Sequence, residues 1–279
     1  MNRSTFLTCA WALCSFLAFS GTAQATIISL NFSVNGNDNN AVDAGETAVN
    51  GIAGVTPTDG SVWTNFNVAS TPGTPIDFTN ATQGGNSLTL NDDSGNASAA
   101  TLTSTGTFHS NWSNVDTPGR GLTGDGGMMQ SYLNAGNTES LTFSNLSSAF
   151  TSGGYEVYVY SDIGTVALDR TYGFRVTDGL VDQSFYTIDR TGIDVTDPGT
   201  NGIMNWIQAT GTSAGNATEN GNYMRFTGLT ADSFTLSNIH SPDGRGAINA
   251  IQIVAIVPEP ASLGLLLLGG ILVGLHHRR

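Results

Sequence analysis

The sequence predicts an all-β fold: a single antiparallel β-sandwich, jelly-roll-like, flanked by an N-terminal signal peptide and a C-terminal apolar helix. Three observations lead to it. Only 11% of the 279 residues are charged, against about 25% in an average soluble protein, which excludes coiled coils and charged helical bundles. Glycine accounts for 35 residues, and Asn, Ser and Thr fill much of the rest, a composition suited to tight turns. Short apolar segments with period-2 character recur between turn signals, and no long segment carries helical periodicity. The 39% hydrophobic content still supplies a core, so the chain is not a disordered polymer.

Residues 1–25 read as a signal peptide. Arg3 is the short positive region, Phe6 to Phe19 is the apolar run, and Ala23-Gln24-Ala25 is a small-x-small cleavage site that would leave Thr26 as the mature start. The run falls short of the ~20 residues that a membrane span needs. Cys9 and Cys14 both lie inside it. The mature chain therefore has no cysteine, which excludes a disulfide, a thiol nucleophile and a cysteine metal site.

The body, residues 26–256, reads as one domain because its composition does not shift along its length. Expected strands are Ile27–Val34, Ser61–Phe66, Ser87–Leu90, Ala100–Phe108, Ser140–Phe143, Tyr155–Tyr160, Tyr172–Thr177, Gln183–Ile188, Ile203–Ala209, Asn222–Phe226, Ser233–Leu236 and Ala250–Ile256. Met128–Leu133 is expected to form one short helical turn. In Tyr155–Tyr160 one face carries Tyr155, Val157 and Val159 and the other Glu156, Tyr158 and Tyr160. Such a strand suits a sheet with one face in a core and the other partly covered. Turn chemistry separates the segments at Asn35-Gly36, Asp59-Gly60, Gly153-Gly154 and Asp178-Gly179, among others.

Residues 257–279 form the third region: Val257-Pro258-Glu259-Pro260, an apolar stretch from Leu263 to Leu275, then His276-His277-Arg278-Arg279. Terminal arginines stay cytoplasmic under the positive-inside rule, so the pattern is that of a stop-transfer tail with the body outside. A permanent single span is the alternative. The order of Pro258, Glu259, Pro260, apolar helix and Arg278-Arg279 resembles the PEP-CTERM sorting signal of Gram-negative bacteria. That resemblance implies recognition by an exosortase-type processing enzyme, transient inner-membrane insertion of the C-terminal helix, and removal of the tail. Export would run through the Sec pathway, with the mature protein at the cell surface or in the extracellular matrix.

The body resembles the extracellular β-sandwich carried by many PEP-CTERM proteins, especially those of planctomycete-like bacteria. The resemblance lies in Val115–Leu133, Tyr155–Tyr160, Gly221–Thr230, Ser233–Leu236 and Arg245–Val254. It implies a jelly roll and a polysaccharide-associated protein, and it brings no catalytic residues.

Nine basic residues, all arginine, face 22 acidic ones, for a net charge of −13. Residues 26–257 carry six arginines and 21 acidic residues, a net −15. Such a surface repels phosphate backbones, so nucleic acid is not an expected partner. Only His109 and His240 lie outside the tail, and no Gly-x-Ser-x-Gly or His-Glu-x-x-His occurs. No catalytic residue is assigned and the protein is read as a non-enzyme. A glycoside hydrolase or lyase on the same fold is one alternative, since the many carboxylates include accidental pairs. A purely structural matrix protein is the other.

No cofactor is required. Structural calcium is the metal that Asn/Asp-rich loops can hold, with Asp38 in Asn35–Asn40 and Asp92 and Asp93 in Asn91–Asn96 as candidate ligands. Turn geometry explains the same residues equally well. For polysaccharide, Trp112 with Asn111 and Asn114 reads as a loop platform, because aromatic faces stack on sugar C–H faces while amides bond hydroxyls. Trp63 and Trp206 lie in apolar segments and are expected in the core.

Overall fold

Strands of alternating apolar and polar residues dominate the computed structural model, which describes residues 26–34, 52–68, 75–76, 82–83, 86–87, 89–106, 108–112, 125–129, 131–162, 169–190, 205–240 and 246–257. In chain order the strands are β1 (Ile27–Val34), β2 (Ile52–Ala53), β3 (Thr58–Asp59), β4 (Thr64–Val68), β5 (Pro75–Ile76), β6 (Thr82–Gln83), β7 (Asn86–Ser87), β8 (Thr101–Thr105), β9 (Phe108–Trp112) and β10 (Ser131–Ala135). Then follow β11 (Ser140–Ser144), β12 (Tyr155–Tyr160), β13 (Arg170–Thr177), β14 (Asp182–Asp189), β15 (Thr218–Glu219), β16 (Tyr223–Leu229), β17 (Phe234–His240), β18 (Gly246–Ile248) and β19 (Ala250–Ala255). Among the described residues helix is limited to single turns such as Asp125–Met128 and Ser148–Thr151. None of the helices among the described residues is long and apolar enough to cross a membrane.

Three larger sheets result: β16-β12-β19-β1-β4, β18-β10-β9-β5 and β15-β14-β13-β17-β11-β8. The five- and six-stranded sheets are mixed, and the four-stranded sheet is purely antiparallel. β1 pairs with β4 in parallel, and β14 with β15 likewise. The expectation of an antiparallel body is corrected at these two places. β19 takes one edge of β1, antiparallel, from Ile27 opposite Val254 to Asn31 opposite Ala250, and β4 takes the other, parallel. The first and last strands of the body are thus neighbours in one sheet.

Side-chain alternation decides what each sheet buries. Val157 and Val159 of β12, Ile251 and Ile253 of β19, Ile28, Leu30 and Phe32 of β1, and Met224 and Phe226 of β16 enter one buried apolar cluster. Leu141 and Phe143 of β11, Phe174 and Val176 of β13, Phe234 and Leu236 of β17, and Phe108, Leu133 and Ile248 of the four-stranded sheet join it. Burying a side chain of this size is worth about 1.5–3 kcal/mol, so this shared cluster is the main driving force for the fold. Thr26–Ile256 forms one unit by its internal contacts; the other, Met1–Ala25 with Val257–Arg279, lies outside the described residues except for Val257.

Several expected segments shift. Ala100–Phe108 is not one strand: it breaks at Gly106, whose φ of 92° is a left-handed conformation that glycine tolerates, and β8 and β9 then join different sheets. Met128–Leu133 divides between the helical turn Asp125–Met128 and strand β10. Residues 205–207, within the expected strand Ile203–Ala209, are irregular, with an isolated bridge at Gln208.

Candidate functional site

The five-stranded sheet has a second, outward layer built from the polar half of the alternation. Opposite positions in register share a face, so Tyr158 lies beside Arg225 and Gln252, and Tyr160 beside Tyr223 and Ala250. Ser29 faces Gln252 across β1 and β19. This layer has a sealed half and an open half.

The sealed half centres on Gln252 and Tyr160, both fully buried. Gln252 Nε2 donates to Ser29 Oγ at 3.1 Å, to the Thr56 carbonyl at 2.9 Å and to Thr58 Oγ1 at 3.0 Å. The Tyr160 hydroxyl donates to Gln252 Oε1 at 2.5 Å and accepts from the Val55 N–H at 2.8 Å. These bonds lay residues 54–58 across the sheet. Gly54 makes the approach possible: its φ is 95°, and a Cβ there would meet Gln252 Oε1 and the Tyr160 hydroxyl. The buried Asp125 carboxylate accepts from the Gly54 N–H at 2.7 Å. Burial pushes the Tyr160 phenol well above its ordinary pKa. Trp63, as expected, is buried here, its Nε1 donating to the Thr58 carbonyl at 3.2 Å.

The open half is aromatic and ion-paired. Trp206 and Tyr223 are only partly buried and pack on the sealed cluster. The Trp206 ring lies 5.0 Å from that of Tyr160 and 6.2 Å from that of Tyr223, the latter edge-on at 90°. Tyr223 in turn stacks with Tyr158 at 6.3 Å. The Arg225 guanidinium sits 5.9 Å over the Tyr158 ring. It forks onto Glu156, Nε donating to Oε2 at 2.9 Å and Nη2 to Oε1 at 2.5 Å. The Tyr158 hydroxyl also donates to Glu156 Oε2, at 2.9 Å. Burial, and then the hydrogen bond to Glu156, raises the Tyr158 phenol to about 12. The Tyr223 hydroxyl points to Gln208 Oε1 at 3.4 Å.

Trp206 was expected in the core of a strand, and the structure corrects this. Its segment runs along the edge of β16, bridging Gln208 to Tyr223 in parallel, and is pinned by a buried asparagine. Asn222 Nδ2 donates to the Asn205 carbonyl at 2.9 Å, while its Oδ1 accepts from the Ile207 N–H at 2.8 Å. Both backbone neighbours of Trp206 are therefore held by one side chain. No local sequence signal marks this clamp, because Asn222 lies 15 and 17 residues from the backbone groups it holds.

Of the residues singled out from sequence, the described ones, Asn111, Trp112, Asp92 and Asp93, are not part of this face. Asn111 and Trp112 end strand β9, opposite Tyr132 and Ser131, so Trp112 stands in a strand and not in a loop. Asn114 lies outside the described residues, as do Asp38, Ala23, Ala25, Pro258, Glu259, Pro260, Arg278 and Arg279. Asp92 is committed to a turn, its Oδ1 accepting from the Ser94 and Asn96 N–H groups at 3.0 and 2.9 Å. Asp93 Oδ1 accepts from the Ile27 N–H at 3.3 Å. Among the described residues no group of three or more His, Cys, Asp or Glu side chains is placed to hold a metal ion. The arginines act as ties: Arg190 joins Asp169 and Glu219, and Arg175 joins Asp182.

No protein-family model, no curated protein and no solved structure matches the chain.

Proposed function

We propose that the chain is an exported, non-enzymatic β-sandwich protein of the cell surface or extracellular matrix that binds polysaccharide. The observation that carries the reading is the open half of the outward layer: Trp206 and Tyr223 side by side over the buried Tyr158, rimmed by Gln208, Glu156 and Arg225. Aromatic faces flanked by amides and charged hydrogen-bonding groups suit sugars, which are apolar on their C–H faces and polar at their edges. The jelly-roll-like sandwich reading is supported by sheets that bury their inner faces in one shared apolar cluster.

Export rests on the sequence patterns at residues 1–25 and 257–279, with tail processing by an exosortase-type enzyme. Trp112, Asn111 and Asn114 stay as a second proposed contact region, and Asp38, Asp92 and Asp93 as proposed ligands of an optional structural calcium. The exported protein, applied to a glycan array with polysaccharide turnover measured in parallel, should show saturable binding without turnover. Turnover would make it an enzyme, and absence of saturable binding would make it a structural matrix component. Its intact mass should lack the residues beyond Pro258–Pro260; a mass retaining Arg278 and Arg279 would overturn tail removal.

A further inference from the structure

We propose that the open aromatic face takes a neutral polysaccharide, with Trp206 as its stacking platform and Asn222 as the residue that positions that platform. The inference rests on the polysaccharide-binding reading and names its ligand class. Trp206 meets the first requirement of a platform, a ring that is partly open yet does not swing. Its ring is backed by Tyr160 and met edge-on by Tyr223. Its backbone is bracketed by the Asn222 bonds to Asn205 and Ile207, and reinforced by Asn222 and Tyr223 N–H bonds to the Ile207 carbonyl at 2.9 and 3.3 Å. A ring held this way loses little entropy when a sugar docks on it.

The charge around the ring selects the ligand. Among the described residues Arg225 is the cation at this face, and Glu156 already engages it through two bonds. The pair offers hydroxyl-binding donors and acceptors but no net positive charge. The body around it carries a net −15. A polyuronate brought here would meet repulsion, with no uncompensated cation among the described residues to offset it. A neutral pyranose chain meets no such penalty: its C–H face covers the Trp206 ring, and its hydroxyls reach Gln208, Tyr223, Glu156 and Arg225 at the rim.

The test compares affinities of the exported protein for a soluble neutral β-glucan and for polygalacturonate. Neutral glucan should bind, with little dependence on salt, and polygalacturonate should not compete. Trp206→Ala should weaken glucan binding at least about tenfold, Trp206→Phe should retain most of it, and Leu180→Ala, on an exposed hairpin tip of another sheet, should leave it unchanged. Asn222→Asp keeps the side-chain size but turns the donor facing the Asn205 carbonyl into an acceptor. It should weaken glucan binding while tryptophan emission becomes more quenchable by acrylamide. Trp206-dependent binding of polygalacturonate in preference to glucan would overturn the ligand class but leave the binding role. Full glucan affinity in Trp206→Ala would overturn the platform, unaltered quenching and affinity in Asn222→Asp would overturn its positioning role, and binding of neither polysaccharide would overturn the underlying reading as well.

Discussion

Gln183 and Thr227 are joined by a two-way hydrogen bond across two different sheets. The Gln183 Nε2 donates to the Thr227 carbonyl at 3.1 Å, and the Thr227 N–H donates to Gln183 Oε1 at 2.9 Å. Gln183 belongs to β14 and Thr227 to β16, the outermost strand of the five-stranded sheet. A side-chain amide thus takes the place that a neighbouring strand would occupy, and residues 207–209 do the same at Tyr223. Sheet edges left bare recruit other chains, so this covering guards against edge-to-edge association.

Gln183→Glu removes the donor and sets a carboxylate against the Thr227 carbonyl. It should lower stability by about 1–2 kcal/mol, the scale of a lost hydrogen bond with an unsatisfied partner. Urea unfolding should show an earlier midpoint with unchanged slope, and light scattering on heating should begin sooner than in the parent protein.

Asp178 holds two turns together. Its carboxylate accepts from the N–H groups of Leu180 and Val181 at 2.9 and 2.7 Å within the β13–β14 hairpin, and from Thr230 and Ala231 at 2.9 and 3.2 Å after β16. Partial burial pushes its pKa up, but the backbone donors outweigh it and hold the group below the ordinary 3.8. A depressed pKa gives stability that is present above the unfolded value and lost as pH falls through the folded one. Asp59 and Asp182 are lowered too, by the Ser61 and Arg175 bonds respectively. Melting temperature should therefore hold down to about pH 4 and fall below it, and Asp178→Asn should flatten that acid limb while lowering stability at neutral pH.

The alkaline side is governed by phenols. Burial raises Tyr155, Tyr158, Tyr160 and Tyr172 above their ordinary value of 10.0, Tyr158 to about 12. Here the sign reverses: the stabilisation is complete below pH 10 and lost as pH climbs through the raised values. Phenolate absorbance of the native protein should lag behind that of the urea-unfolded chain, and Tyr158→Phe should remove part of the lag without unfolding the protein at pH 7.

The shared core makes a sharper demand. Phe143 and Phe234 face each other in register on β11 and β17 and stack at 4.9 Å with rings 13° apart. Phe143→Ala should cost roughly 3–5 kcal/mol, read from the denaturation midpoint.

What the sequence disclosed follows from the range of each interaction. The two faces of Tyr155–Tyr160 could be read from alternation alone, because a strand places successive side chains on opposite sides whatever its partners; Tyr155, Val157 and Val159 enter the shared core, while on the other face Tyr158 and Tyr160 enter a second buried cluster and Glu156 stays partly exposed. The parallel pairing of β1 with β4 could not be read, since it depends on which strand arrives at the open edge. Trp206 was misplaced because Ile203, Met204, Trp206 and Ile207 look like a buried strand until the Asn222 clamp, 15 or more residues away, is known. Trp112 was misplaced because its polar neighbours suggested a loop, whereas the backbone continues β9 into register with Ser131.

Hydroxyl-radical footprinting of the exported protein, with and without soluble neutral β-glucan, tests the central claim most directly. Trp206 and Tyr223 should lose reactivity in the presence of glucan, while the exposed Leu180 should not. Protection of Trp112 alone, with Trp206 and Tyr223 oxidised at the same rate throughout, would contradict the account.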